Sequence, residues 1–390
     1  MINTKKLAHG IADELIQLRR SLHQIPEMAF CEEQTAALVC SYLDDLGVPY
    51  QRGIAQTGIV ATITGDLPGD TILFRADMDA LPITEQTGLP YASQIPGMMH
   101  ACGHDAHMTI LLGAAKLLMQ HKSQLRGAVK LIFQPAEEGV GGAKPMIEAG
   151  ILENPPVDRC YALHMSNDIN TGKICLKEGA IMASDDMFDL TIIGKGGHGA
   201  YPHLCIDPIV AASSIILNLQ TVVSRKINAA DSAVITIGSI NGGSMHNIIP
   251  EKVTLRGTAR SLRLEVRNVI PDLIEQTVRG VCESVGAEYE FDFMYSYPPT
   301  INSAVTNQIV INAAHKVLGD DSVISLLHSS MAADDFAFFA EWLPSTYFHL
   351  GCRNEKKCAA ETLHSPNFTI DEDALELGCA LVTQIAFDNQ

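Results

Sequence analysis

The sequence is short of positive charge. Among its 390 residues, 27 are lysine or arginine and 45 are aspartate or glutamate, so the formal net charge at pH 7 is −18. Binding to nucleic acid or to an anionic membrane depends on clustered basic side chains, and the sequence contains no basic run that offsets this balance. We therefore expect neither nucleic acid nor a membrane as a partner.

Long apolar segments and paired cysteines are also missing. The longest apolar stretch, around residues 109–119, contains Lys116 and is too short to span a bilayer. The N-terminus enters a charged helical pattern without the apolar segment of a secretory signal. Ten cysteines are scattered without a Cys-x-x-Cys pair, which is typical of a reducing compartment. These features predict a cytoplasmic protein.

Short apolar runs alternate with helical stretches along much of the chain. This alternation predicts an α/β fold in which a mostly parallel sheet is covered by helices on both faces. The length suits two domains, or one large domain with an insertion. The predicted helices include residues 1–25, 33–46 and 104–121, and the predicted strands are 59–63, 71–74, 129–133, 161–163 and 346–350.

Residues 185–294 follow a different order, strand-helix-strand-strand-helix-strand. This β-α-β-β-α-β order is the split, ferredoxin-like arrangement. Segments that carry candidate ligands occur both before and after it. We therefore predict an inserted domain at 185–294 and a discontinuous catalytic domain built from residues 1–184 and 295–390.

Polar side chains of metal-ligand type follow several of the predicted strands. In an open α/β sheet, ligands collect beyond the carboxyl ends of the strands, so we expect these side chains to lie near one edge. Taken one at a time, each is more often structural than functional, and the convergence favours a site. In chain order they are Asp77, Asp79, Glu137, Glu138, His164 and His364.

Cys102 and His104 stand at the start of the helix predicted over residues 104–121. A helix N-terminus lowers the pKa of a nearby thiol and favours the metal-binding thiolate. One thiolate, three imidazoles and one carboxylate exceed the needs of a single four-coordinate ion, which favours two divalent ions. The predicted metal ligands are Cys102, His104, Glu138, His164 and His364.

Glu137 and Glu138 are neighbours and cannot easily bind one ion in the same way. We predict that Glu138 is a ligand and that Glu137 is the general base, which takes a proton from an activated water and passes it to the leaving amine. A thiolate ligand favours zinc, while manganese, cobalt and nickel stay open.

Two other functions fit part of this pattern. Cys102 at a helix N-terminus also suits the nucleophile of a thiol amidase, although that function leaves Glu137 and Glu138 unexplained. A catalytically silent metal- or ligand-binding protein is the second alternative. The run Gly194–Gly199 matches a dinucleotide-binding fingerprint, but Pro202 and Pro208 interrupt the helix that should follow.

At these residues the sequence resembles the M20 metallopeptidase family. The similarity is to its amidohydrolase branch, which contains hippurate hydrolases, N-acyl-amino-acid amidohydrolases and plant auxin-conjugate (IAA-amino acid) hydrolases. It extends over nearly the whole chain and runs through LHQIPE (22–27), FRADMDALP (74–82), HACGHDAH (100–107), QPAEEG (134–139), GH (197–198) and LHSP (363–366).

The resemblance implies a two-metal enzyme that cleaves an N-acyl amino acid into a carboxylate and a free amino acid. It implies the same five ligands and the same base, and makes the inserted domain a lid that also forms a homodimer. In that family pattern His198 stabilises the oxyanion, in its own subunit or across the dimer. Asn247 and Arg260 match residues that hold substrate polar groups. Asp79 is expected to orient a ligand histidine, and the role of Asp77 stays open.

Overall fold

The computed structural model describes residues 2–139, 141–357 and 361–389. The chain forms two compact units. The first comprises Met1–Gly179, Ile301–His328 and Asp335–Gln390, and the second comprises Ala180–Thr300 and Ser329–Asp334. The second unit thus contains the segment 185–294, and the functional boundaries expected from the sequence stay a prediction.

Helices occur throughout both units, and α4 is the one that positions the site. In chain order they are α1 Thr4–His9, α2 Ala12–His23, α3 Glu33–Leu46, α4 His104–Gln120, α5 Ala143–Glu148, α6 Pro208–Thr221, α7 Leu264–Val285, α8 Ala304–Leu318, α9 Ala337–Trp342 and α10 Asp373–Asp388. No helix among these described residues is long and apolar enough to cross a membrane.

The longest strands belong to the two main sheets. In chain order they are β1 Tyr50–Ile54, β2 Gly58–Thr64, β3 Leu67–Asp77, β4 Arg126–Gln134, β5 Arg159–Asn170, β6 Ile174–Leu176, β7 Gly179–Met182, β8 Asp185–Ile193, β9 Gly197–His198, β10 Ala233–Gly242, β11 Ile248–Ile249, β12 Lys252–Ser261, β13 Glu288–Tyr297, β14 Thr300–Asn302, β15 Val323–Ser325 and β16 Ser345–Arg353.

The first unit is built on an eight-stranded sheet with the order β1-β2-β4-β3-β5-β16-β6-β15. The four central strands β4, β3, β5 and β16 are parallel to one another, whereas β1 and β2 at one side are antiparallel. The prediction of an α/β fold with a mostly parallel central sheet is confirmed. Since parallel strands end at one edge, the carboxyl ends of β4, β3 and β5 lie side by side there.

The helix α4 is buried on almost every side. It packs against β3 and β5 on one side and against α2 and α10 on the other, and most of its residues are inaccessible to solvent. It begins after Gly103, whose φ of 86° lies in the left-handed region that glycine adopts without strain. A helix enclosed in this way is rigid, so the side chains on its first turn are held firmly.

The second unit contains a four-stranded antiparallel sheet with the order β10-β12-β8-β13. Along the chain its elements follow as β8, α6, β10, β12, α7 and β13, which is the β-α-β-β-α-β order expected for the inserted segment. Helices α6 and α7 pack beside each other in an apolar core of their own.

Candidate metal centre

The five predicted metal ligands are brought together at the carboxyl edge of the central strands in the first unit. Cys102 Sγ lies 3.5 Å from His164 Nε2. Glu138 Oε1 lies 3.3 Å from His364 Nε2 and 3.9 Å from His104 Nε2. The donor atoms of Cys102, Glu138 and His364 all lie within 4.8 Å of one another.

His104 is the first residue of α4 and is almost fully buried. Its Nδ1 donates a hydrogen bond to the carbonyl oxygen of Asp79 at 2.8 Å. In the neutral ring the proton therefore sits on Nδ1, and Nε2 carries a free lone pair. Within the described residues Nε2 is buried and has no hydrogen-bond partner. A buried nitrogen of this kind is what a metal ligand presents.

His164 uses the same arrangement from strand β5. Its Nδ1 donates to the carbonyl oxygen of the following residue, Met165, at 2.8 Å, so its Nε2 is turned toward Cys102 with the lone pair available. In both buried histidines Nδ1 donates to a backbone carbonyl and Nε2 faces the site, which is the arrangement that orients metal-binding imidazoles in proteins.

The turn that carries Glu137 and Glu138 is fastened by Asp79. The two carboxylate oxygens of Asp79 accept hydrogen bonds from the amides of Glu137 at 3.0 Å and of Glu138 at 2.9 Å. The side chain of Glu137 brings Oε2 to 4.0 Å from His104 Nε2. Asp79 therefore supports the site twice, through its carbonyl toward His104 and through its carboxylate toward the turn.

The electrostatic surroundings of Cys102 differ from the sequence expectation. Burial, followed by the negative charges of Glu138, Glu137 and Asp77, raises the pKa of the Cys102 thiol well above its ordinary value. The N-terminus of α4 was expected to lower it, but the nearby carboxylates and the loss of solvent outweigh that effect. The thiolate becomes favourable here only when positive charge is added to the site.

The same excess of negative charge acts on the histidines. Burial alone would lower the pKa of His104, but Asp77, Asp79 and Glu138 together raise it to about 10. A hydrogen bond with Glu138 likewise raises the pKa of His364. By contrast, burial and the nearby His107 hold the pKa of His164 well below its usual range. The field at the centre of the site favours a cation.

His107 was not singled out from the sequence, although it belongs to one of the quoted motifs. Its Nδ1 donates to Asp77 Oδ1 at 2.6 Å, and its Nε2 accepts from the amide of Met165 at 2.9 Å. Both ring nitrogens are therefore occupied by protein groups, and His107 supports the backbone next to His164. Its spacing of three residues from His104 on one helix face was the only sequence signal for this position.

Asp77, whose role was left open, is the last residue of β3 and is fully buried. Besides His107 it accepts a hydrogen bond from Arg75 Nη1 at 2.6 Å. Burial alone would raise the pKa of Asp77, but the charges of His104, His107 and Arg75 lower it well below its ordinary value. Asp77 thus stays ionised and fixes His107.

His198, Asn247 and Arg260 lie in the second unit. His198 is exposed on β9, and its Nδ1 accepts a hydrogen bond from the amide of Ala200 at 3.1 Å. The carbonyl of Asn247 accepts from the Gly199 amide at 2.8 Å.

Arg260 lies on β12, pairs with Asp185 at 3.0 Å, and donates to the carbonyl of Met331 at 2.9 Å. The predicted roles of His198, Asn247 and Arg260 stay predictions.

The donor set of the first unit fits divalent metal ions. Its possible ligands fall into overlapping groups. Two groups share Glu138, and a third shares His104 with one of them: Cys102, Glu138 and His364; His104, Glu137 and Glu138; and Asp77, His104, His107 and His164. Mixed sulfur, nitrogen and oxygen donors suit zinc and neighbouring transition ions better than magnesium or calcium. The buried lone pair of His104 and the clustered carboxylates both point to the same kind of occupant.

Known proteins resemble this chain over most of its length. A thermostable carboxypeptidase of Saccharolobus solfataricus is 42% identical over 94% of this chain and 93% of its own. An N-acetyl-L-cysteine deacetylase of Bacillus subtilis is 42% identical over 93% of this chain and 85% of its own. Among solved structures, a dinuclear metal-binding M20 peptidase of Bacillus subtilis shares 34% identity with a TM-score of 0.86, covering 97% of this chain and 98% of that chain.

A family model also matches residues 73–388, a range that contains all five candidate ligands and Glu137. The match includes both the strands that carry the ligands and the whole inserted segment. From this match and the two relatives, the chain belongs to peptidase family M20/M25/M40.

Proposed function

We propose that this protein hydrolyses the amide bond of N-acyl amino acids and releases a carboxylate and a free amino acid. The observation that carries the proposal is the arrangement of His104 and His164, whose Nδ1 atoms are tied to backbone carbonyls while their Nε2 atoms face Glu138 and Cys102. Membership in a peptidase family and the similarity to a deacetylase support an amide as the substrate.

Two divalent ions are proposed at this centre, because two of the overlapping ligand groups share Glu138 and a solved relative is a dinuclear metal-binding peptidase. When bound, such ions polarise a carbonyl group and make a water molecule easier to deprotonate at neutral pH. The proposed ligands, with zinc, manganese, cobalt or nickel as candidate ions, are Cys102, His104, Glu138, His164 and His364.

Glu137 is proposed as the general base. Its backbone is fixed by Asp79, and its Oε2 atom lies 4.0 Å from His104 Nε2, so its carboxylate faces the candidate ligands. The carboxylate takes one proton from the attacking water as the new carbon–oxygen bond forms. It then delivers that proton to the amide nitrogen as the carbon–nitrogen bond breaks.

The second unit is proposed to supply substrate contacts. Because Nδ1 of His198 accepts an amide hydrogen, its neutral ring carries the proton on Nε2, which can donate to an oxyanion. Arg260 suits a substrate carboxylate, and it would have to loosen its pair with Asp185 to bind one. Asn247 is proposed to hold a second polar group of the substrate.

The decisive experiment compares Glu137→Gln with Glu148→Gln, a matched change at an exposed position on the following helix. Both proteins are loaded with the same metal and assayed on acetyl-, benzoyl- and longer acyl-amino acids. We expect Glu137→Gln to lose activity by about 10²–10⁴-fold with unchanged metal content, and Glu148→Gln to keep it. Full activity in Glu137→Gln would exclude this base.

A thiol amidase is the second candidate, since Cys102 Sγ lies within 3.5 Å of an imidazole nitrogen. It predicts full activity in chelated protein and loss of activity on alkylation of Cys102. Activity that depends on metal, and is protected from alkylation by metal, contradicts it. If the fully metal-loaded protein hydrolyses none of the amide substrates, a catalytically silent binding protein is favoured instead.

We also propose a cytoplasmic homodimer that assembles through the second unit. Val210 and Leu217, seven residues apart on α6, expose 61% and 72% of their surface, and Leu204 exposes 62%. Exposed large apolar side chains of this kind are a feature of interfaces. Light scattering after size-exclusion chromatography measures the mass directly. A monomer at micromolar concentration would contradict the dimer, and secretion of the native protein would contradict the compartment.

A further inference from the structure

The turn that carries Glu137 begins with a strained residue. Ala136 has a φ of 57°, in the left-handed region that costs a non-glycine residue about 1–2 kcal/mol. Such a conformation persists only where surrounding contacts hold it. Three successive amides of this turn donate to buried carboxylates, and those of Glu137 and Glu138 reach Asp79.

The remaining amide, that of Ala136 itself, donates to Glu32 Oε1 at 3.0 Å. Glu32 is distant in sequence and completely buried just before α3. The same oxygen accepts from the amide of Phe30 at 3.0 Å, and Oε2 accepts from the hydroxyl of Thr57 at 2.5 Å. Glu32 thus connects the entry to α3, the turn between β1 and β2, and the turn of the proposed base.

Burying a carboxylate is costly unless its oxygens receive hydrogen bonds. Within the described part of the chain, Glu32 forms no ion pair with a lysine, arginine or histidine, and its contacts are the two amides and the hydroxyl. A residue that served only packing could be apolar at this place. The hydrogen bonds that its carboxylate accepts explain why a glutamate stands here, above all the bond from the amide of Ala136, the strained residue next to Glu137.

We propose that Glu32 is a positioning residue for Glu137, acting through the amide of Ala136. It fixes the left-handed conformation of Ala136 and hence the direction in which the Glu137 carboxylate leaves the turn. The proposal rests on the proposed function of Glu137 as the base. A displacement of about 1 Å at a reacting group costs up to about 100-fold in rate, so loss of this contact should lower turnover.

The test compares three variants of the metal-loaded, full-length protein. Glu32→Ala removes the acceptor for Ala136, and Glu32→Gln keeps an oxygen that can accept the same amide. Thr57→Val is the matched control, because it removes the hydrogen bond to Oε2 of the same carboxylate and leaves the Ala136 hydrogen bond to Oε1 in place. If Glu32→Ala does not fold, Glu32→Asp withdraws the carboxylate by one methylene.

We expect Glu32→Ala to lower kcat by about 10–100-fold with KM within about twofold and with unchanged metal content. Glu32→Gln should recover most of kcat, and Thr57→Val should lose stability without losing kcat. Equal losses of kcat in Glu32→Ala and Thr57→Val would overturn the proposal, because the role of Glu32 would then be structural.

Hydrogen exchange gives a readout that does not depend on activity. In Glu32→Ala, the peptide spanning residues 134–139 should exchange at least about tenfold faster, whereas in Thr57→Val it should exchange as in the parent. Unchanged exchange in Glu32→Ala overturns the positioning role whatever the activity. The two proposals can fail separately. If exchange is faster in Glu32→Ala but Glu137→Gln is fully active, Glu137 is not the base, and Glu32 still anchors the turn.

Discussion

His104 and Asp105 are consecutive residues on the first turn of α4, but their side chains belong to two different buried clusters. His104 joins the candidate metal ligands. Asp105 joins what we call the arginine cluster, which consists of Arg19, His23, Glu85 and Asp105. There Asp105 Oδ2 lies 2.8 Å from Arg19 Nε and 2.6 Å from His23 Nδ1, and Glu85 Oε1 lies 3.3 Å from His23 Nε2.

The two clusters differ in where their positive charge comes from. In the arginine cluster a permanent cation of the protein faces the buried carboxylate, and the charge of Arg19 and the hydrogen bond from His23 lower the pKa of Asp105 despite its burial. We call the five candidate ligands together with Glu137 the ligand cluster. In it a thiol, two carboxylates and the nitrogen atoms of imidazoles lie close to one another. A buried acidic cluster that contains no permanent cation of the protein thus favours a cation from solution.

Removal of metal by a chelator should have the largest effect of the experiments proposed here, because it should affect the ligand cluster and leave the arginine cluster unchanged. Removing divalent ions should lower activity by at least about 10³-fold, and it should remove the stability that bound metal adds, about 4 kcal/mol when free metal exceeds its Kd a thousandfold. Activity and urea unfolding are measured before chelation, after it, and after adding back zinc, manganese or cobalt.

Magnesium added back at the same concentration serves as the control, since it suits oxygen ligands rather than this donor set. Full activity in protein shown by elemental analysis to be free of metal would contradict this difference between the clusters, because the ligand cluster would then need no cation.

The arginine cluster can be tested by Arg19→Met, which leaves Asp105 buried without its permanent cation. We expect a loss of about 3–5 kcal/mol in the free energy of unfolding, because an unpaired buried charge is costly. The matched control is Arg20→Met, because the side chain of Arg20 is 35% exposed and its Nη2 pairs with Glu372 at 2.6 Å. That pair should contribute at most about 1 kcal/mol.

Urea unfolding of metal-loaded and chelated protein measures both variants. The loss in Arg19→Met should be the same in either form, and metal content per folded molecule should not change. Equal small losses in the two variants, or a loss that disappears on chelation, would mean that the arginine cluster is not an independent structural unit.

Much of the fold could be predicted because local signals agreed with the tertiary structure. Helix α3 coincides with its predicted range 33–46 and ends at a glycine in the left-handed conformation, Gly47 with φ 65°. The single helix predicted over the first 25 residues is instead two. The helically spaced apolar residues Leu15, Leu18 and Leu22 all lie on α2, while a hydrogen bond from the Lys6 amide to the Asn3 side chain caps α1 separately.

Several of the ligands could be predicted for a similar reason, since Glu138 and His364 come after strands of the parallel sheet and His164 lies on one. The residues that hold these ligands and Glu137 in place could not be predicted from the sequence. His107 depends on Asp77 and Met165, and Glu32 depends on Ala136, and each of these contacts joins segments far apart in sequence. The pKa of Cys102 was expected in the wrong direction because the expectation rested on the helix N-terminus alone, whereas burial and the charges of Glu138, Glu137 and Asp77 outweigh it.

The smallest effect expected concerns the pH dependence of the arginine cluster. Burial alone would raise the pKa of Glu85, but hydrogen bonds from His23, the Ser93 amide and the Thr87 hydroxyl lower it from 4.5 to about 2. The folded pKa lies below the unfolded value, so the ionised carboxylate stabilises the protein above pH 4.5. That contribution is lost as the pH falls from about 4.5 to about 2.

Glu85→Gln should therefore cost roughly 1–3 kcal/mol at pH 7, and the difference from the parent should shrink as the pH falls below about 4.5. Urea unfolding between pH 7 and the lowest pH at which both proteins fold measures it, with Glu33→Gln at an exposed position as the control. The difference should be unaffected by chelation, because His23, Ser93 and Thr87 supply its hydrogen bonds without metal. A difference that stays constant with pH would show that the charge of Glu85 does not stabilise this cluster, and the contrast with the ligand cluster would then rest on Arg19 and Asp105 alone.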